Sequence, residues 1–92
     1  MIKKIRHKGL KAFYLYGQTK GINFEWLPRI QRILTLLDAV TNPAGMDVPG
    51  FNLHSLKGGY QGYWAVKVTG NWRIVWRFED GDATDVDLID YH

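Results

Sequence analysis

A chain of 92 residues, 46% of them hydrophobic and with four Trp, five Tyr and four Phe, is a single domain spanning residues 1–92 and too apolar to stay disordered. The absence of cysteine excludes disulfides, thiolate nucleophiles and Cys-based zinc sites. All 12 Lys and Arg fall within residues 1–78 against Glu25, Asp38 and Asp47, so this body carries 12 − 3 = +9, while the other six of the nine acids crowd between Glu79 and His92. Such a body attracts polyanions by counterion release and long-range steering, and nucleic acid is the leading class of partner.

In chain order, Met1 to Arg6 has the basic start of a secretion signal, but Lys8 and Lys11 interrupt before any apolar stretch develops. A cytoplasmic protein without membrane attachment is expected, with Ile2 to Arg6 as a short first strand. Lys8 to Tyr16 is expected to be a short helix, stopped at Gly17. Trp26, Ile30, Ile33, Leu34, Leu37 and Val40 recur at three- and four-residue steps and predict an amphipathic helix from Phe24 to Thr41, with Arg29 and Arg32 on its wet side. Pro28 then lies in the first turn, where a missing N–H is tolerated. Asn42-Pro43-Ala44-Gly45 ends the helix, and a loop continues through Pro49-Gly50.

From Phe51 onward the period drops to two. Asn52 to Lys57, Tyr63 to Val68, Trp72 to Phe78 and Thr84 to Asp90 read as strands, separated by Gly58-Gly59, Gly70-Asn71 and Asp80-Gly81. Alternation puts Trp72, Ile74, Trp76 and Phe78 on the core face and Arg73, Val75 and Arg77 on the other. The expected fold class is α+β, with two N-terminal helices packed on one face of a twisted, largely antiparallel sheet.

His7, His54 and His92 are scattered, with no pair at metal-binding spacing, so neither a metal nor another cofactor is expected. Asp90-Tyr91-His92 instead groups a carboxylate, a phenol and an imidazole. RNA carries its own nucleophile, the 2′-hydroxyl. Cleavage then needs only a base for that hydroxyl, an acid for the 5′-oxygen and cations for the phosphorane.

Leu53-His54-Ser55-Leu56-Lys57-Gly58, Gly62-Tyr63-Trp64-Ala65-Val66, Asn71-Trp72-Arg73-Ile74 and Asp90-Tyr91-His92 resemble the HigB toxins of the RelE/ParE superfamily, over nearly the whole chain. The resemblance implies a RelE-like fold and a ribosome-dependent endoribonuclease that cuts messenger RNA in the decoding site, leaving a 2′,3′-cyclic phosphate. It also implies a HigA-type helix-turn-helix antitoxin, with operator DNA reached only through the toxin–antitoxin complex. On this pattern His54, Asp90, Tyr91 and His92 match the catalytic positions, and Lys57 and Arg73 match the phosphate-facing cations. His92 is the preferred base, His54 the acid or leaving-group stabiliser and Asp90 the orienter. Ser55 stands where proline is common, Ala65 where serine is common, and Gly59-Tyr60 where an acidic-arginine pair is common, which makes Tyr60 a candidate to stack on a base.

Plainer readings run beside these. Arg73 and Arg77 also fit a solvated sheet face, the four tryptophans are expected in the core, and Asp85 and Asp87 read as surface strand residues that discourage edge pairing. A non-catalytic inhibitor on the same fold, like the gyrase-directed ParE group, is the competing function. That group lacks the acid-base set that His54, Tyr91 and His92 supply here.

Overall fold

The two helices form where apolar residues repeat, and the computed structural model, which describes all 92 residues, fixes their ends. Helix α1 runs Lys8–Tyr16. The His7 Nδ1 accepts from the Leu10 N–H at 3.0 Å, meeting one of the orphan donors of the first turn. Gly17 stops the helix at φ 70°, a left-handed conformation that glycine adopts without a Cβ clash.

Helix α2 occupies Leu27–Ala39, shorter at both ends than the expected Phe24 to Thr41. A 3₁₀ turn, Phe24–Trp26, precedes it, and Asn23 caps that turn by accepting from the Glu25 N–H at 3.0 Å. At the other end Val40 is extended, with ψ at 158°. Ile30, Ile33, Leu34 and Leu37 are buried along its inner side. Arg29 is not simply solvated: its Nε donates to the Lys67 carbonyl at 2.8 Å, and both Arg29 and Arg32 lie over the Phe51 ring, at 5.4 and 5.3 Å. Asp38 accepts from the Ile2 N–H at 2.8 Å and the Tyr14 hydroxyl at 2.9 Å, so one carboxylate ties α2 to α1 and to the first residues.

The strands β1 (His54–Ser55), β2 (Trp64–Thr69), β3 (Trp72–Glu79) and β4 (Asp82–Asp90) form one antiparallel sheet in that order. The expected strand over Asn52 to Lys57 contracts to two residues, because Asn52 takes φ 54° and a 3₁₀ turn begins at Gly58. Ile2 to Arg6 is not a regular strand either. It touches β4 through isolated parallel bridges, Ile2 to Ala83 and Ile5 to Val86. The ladder between them is broken where β4 bulges.

The helices cover one face of the sheet. There Val66, Val68, Ile74, Trp76 and Leu88 join Leu10, Ile30, Ile33 and Leu37 in the main core, as alternation predicts for Ile74 and Trp76. A second cluster occupies the opposite face, where Leu56, Ala65 and Val75 are buried against Tyr60, Tyr63, Ile89 and Tyr91. No helix is long and apolar enough to cross a membrane.

The bulge corrects the reading of Asp85. Register shifts between Val75 and Arg77, and Asp85 opposite the shift has φ 50°, a strained conformation for a residue with a Cβ. The side chain is buried rather than solvated, 7% exposed overall. Its Oδ2 accepts from Arg77 Nη2 at 2.7 Å and Nε at 3.0 Å, and its Oδ1 accepts from Arg6 Nε at 3.2 Å. Nor is β4 an edge in need of guarding, since β3 and the first residues flank it.

The Arg77 hydrogen bonds above all hold the Asp85 carboxyl below the usual carboxylate range; burial opposes them, and Arg6 adds to the lowering. A carboxyl with a depressed folded pKa contributes its stability in full above the unfolded value and loses it as pH falls through the folded value. Acid titration is therefore expected to destabilise the protein below about pH 4. Asp85→Asn should be less stable at pH 7 and lose less on acidification, as read by melting temperature from pH 7 to pH 2. An unchanged acid limb in the variant would refute this role.

Candidate active site

On the sheet face away from the helices, the register of β2, β3 and β4 sets charged side chains beside the Leu56 cluster. Lys67 pairs with Arg73 and Arg73 with Ile89, while the neighbouring row runs His54, Ala65, Val75, Asp87. Lys67 therefore stands beside Arg73, a neighbour that alternation alone does not reveal because it depends on register. Arg73 Nη1 donates to the Gly70 carbonyl at 2.7 Å and the Trp72 carbonyl at 3.2 Å, which folds the guanidinium back over the β2–β3 turn. Its Nε is buried with no protein partner, leaving the fork half engaged.

The same turn holds the end of β4. The Tyr91 N–H donates to the Asn71 carbonyl at 2.9 Å, and Asn71 Nδ2 approaches His92 Nδ1 at 3.1 Å. Asp90 Oδ1 lies 3.8 Å from the same imidazole nitrogen. Asp90, Asn71 and His92 thus form one contact group, with the imidazole side chain 73% exposed to an incoming ligand. In the sequence Asn71 reads as a turn residue, and its place within Asn71-Trp72-Arg73-Ile74 is the available signal for a role here.

Tyr91 joins the site differently. Its ring meets Tyr60 edge-on, with centroids 6.2 Å apart and planes at 80°, and Tyr60 meets Tyr63 at 5.3 Å and 88°. Tyr60 is therefore half-buried against two phenols rather than standing free for a base. This contact brings the Gly58–Tyr60 turn beside Tyr91, and Lys57 is exposed immediately before that turn.

His54 stands apart. Its β1 position is three inter-strand steps from β4, about 14 Å between backbones, and it touches none of Asp90, Tyr91 or His92. Its Nδ1 lies 2.7 Å from the Asn52 carbonyl. A carbonyl only accepts, so Nδ1 carries the proton and the exposed Nε2 is left with a free lone pair.

The fold agrees with two comparisons. Residues 3–92 match the family model of the RelE-like toxin of type II toxin–antitoxin system HigB. The chain is also similar to the Endoribonuclease HigB of Proteus vulgaris, 39% identical over 92 residues that make up 100% of each chain. A two-helix, four-stranded α+β fold, matched to one family from residue 3 to residue 92, places this chain among the RelE-like HigB toxins of type II toxin–antitoxin systems.

Proposed function

We propose that the protein is an endoribonuclease that cleaves messenger RNA in the ribosomal decoding site by 2′-hydroxyl attack, and that a HigA-type helix-turn-helix antitoxin neutralises it. Operator DNA is then bound only by the toxin–antitoxin complex. The observation that carries the reading is the contact group of Asp90, Asn71 and His92 at the β2–β3 turn, over which the Arg73 guanidinium is folded by its bond to the Gly70 carbonyl. The similarity to an endoribonuclease over full length supports the same activity.

The hydrogen bonds favour the reverse of the expected proton roles. His54 has its Nδ1–H committed to Asn52, so Nε2 suits it to take the 2′-hydroxyl proton. At His92 the Asn71 amide and the Asp90 carboxylate lie 3.1 and 3.8 Å from Nδ1, so Nε2 is the nitrogen left for RNA, and as the imidazolium, with its Nδ1–H turned to Asp90, His92 can protonate the 5′-oxygen. Arg73 and Lys57 stabilise charge on the phosphorane. The attacking oxygen forms a bond to phosphorus as the 5′-oxygen leaves with the proton from His92, giving a 2′,3′-cyclic phosphate and a 5′-hydroxyl. No metal is needed for any of these transfers.

A messenger RNA with a single 2′-O-methyl group on the nucleotide 5′ to the cleaved phosphate, bound to ribosomes, tests this chemistry. Cleavage at that bond is expected to fall below detection, while unmodified RNA yields a cyclic phosphate end. Cleavage of the methylated RNA would mean that water, not the 2′-hydroxyl, attacks. A protein that blocked supercoiling and left translation untouched would instead revive the ParE-like reading.

A further inference from the structure

Tyr91 lies one residue beyond the last paired residue of β4 and is held by one backbone hydrogen bond, to Asn71. A ring at such a position needs lateral packing to hold one direction, because residues outside a ladder fray. That packing comes from the buried Leu56, Ala65 and Val75 cluster beneath it and, edge-on at its side, from Tyr60. The Gly58–Tyr60 turn is itself fixed from both sides, by Leu56 N–H to the Tyr63 carbonyl at 3.0 Å and by Tyr63 N–H to the Tyr60 carbonyl at 2.9 Å. Both ring pairs fall within the separation and edge-on orientation that aromatic quadrupoles favour, about 4.5–7 Å between centroids.

The row does not end at Tyr63. The Arg77 guanidinium lies over the Tyr63 ring, 6.0 Å from its centroid. Arg77 is in turn held by two hydrogen bonds to Asp85, whose other oxygen takes Arg6. A strained, buried carboxylate at the β4 bulge is thus connected, through a guanidinium and two phenol rings, to the ring beside His92.

We propose that Tyr60 is a positioning residue for the RNA-cleaving site, holding the Tyr91 ring edge-on, and is itself held through Tyr63 by the Arg77–Asp85 ion pair. Tyr60 touches no reacting atom; it restricts where Tyr91 points. Displacing a group at a reacting centre by about 1 Å costs on the order of 100-fold in rate, so loss of the Tyr60 ring reads out in the saturated rate rather than in ribosome binding. The proposal rests on the endoribonuclease reading.

The test measures single-turnover cleavage of messenger RNA on 70S ribosomes across toxin concentrations for wild type, Tyr60→Phe, Tyr60→Leu, Arg77→Gln and Tyr91→Ala, and for Tyr60→Leu and Arg77→Gln each combined with Tyr91→Ala. Tyr60→Phe keeps the ring and is expected within about twofold of wild type. Tyr60→Leu should lose about 10- to 100-fold in saturated rate, with half-saturation little changed, and Arg77→Gln about 3- to 10-fold. In the Tyr91→Ala background both losses should shrink to about twofold or less, because coupled residues are not additive. A folded Tyr60→Leu protein with the wild-type saturated rate overturns the proposal, and so does a loss of the same size with and without Tyr91. If Tyr60→Leu does not fold, Arg77→Gln decides by the same two criteria. A wild-type protein that cuts no RNA sinks the endoribonuclease reading itself, whereas failure of the variant pattern with an active wild type sinks only the positioning role.

Discussion

Replacing either imidazole, His54→Ala or His92→Ala, is expected to lower single-turnover cleavage of ribosome-bound messenger RNA by about 100- to 10,000-fold, the range for loss of a general acid or base. Folding should be nearly unaffected. Both side chains are exposed, neither belongs to the main core nor to the Leu56 cluster, and each makes a single short contact that a solvated backbone or amide can replace. The two variants should differ in one respect. With His54 as base, a substrate bearing a better leaving group than the 5′-oxygen, such as a 5′-thiolate, should restore cleavage to His92→Ala far more than to His54→Ala, since only the acid becomes dispensable. Rescue of His54→Ala instead would return the roles to the order expected from sequence. Cleavage at the wild-type rate by either variant would remove that histidine from the mechanism, and a variant that fails to fold would make its role structural.

Arg73→Ala should cost about 100- to 1,000-fold in the saturated rate, comparable to removing a preorganised donor from a site of developing charge. Arg77→Ala should cost no more than about 10-fold, together with a lower melting temperature. Both arginines project from the same strand face, and by alternation alone they are equivalent. Their partners separate them. Arg77 spends its Nε and Nη2 on Asp85, whereas Arg73 binds only carbonyls through Nη1 and, with Nε buried, keeps Nη2 for an anion. Equal losses at saturation, or losses confined to binding and its salt dependence, would contradict this division.

Hydrophobic periodicity made the two helices, the last three strands and the α+β class legible, because burial of one face imposes a period of 3.6 on a helix and of two on a strand. It also placed Ile74 and Trp76 in the core, whereas the resemblance to the HigB toxins put His54, Lys57, Arg73 and the Asp90-Tyr91-His92 group forward as the chemistry-bearing residues. Ends of elements were less legible. The start of α2 passed to a 3₁₀ turn, and the strand around His54 shrank to two residues, because local hydrogen bonds and the φ 54° at Asn52 outweigh propensity there.

What only the tertiary structure decided depends on register and on contacts between residues far apart in the chain. Alternation says which face a residue occupies but not which residue stands beside it, so Lys67 next to Arg73, Asn71 against His92 and Tyr60 against Tyr91 had no signature in one strand alone. The bulge at Asp85 is the clearest instance. One extra residue in β4 turned an aspartate that reads as solvated into a buried partner for Arg77 and Arg6, since a shift in pairing moves a side chain into surroundings that its own segment does not encode.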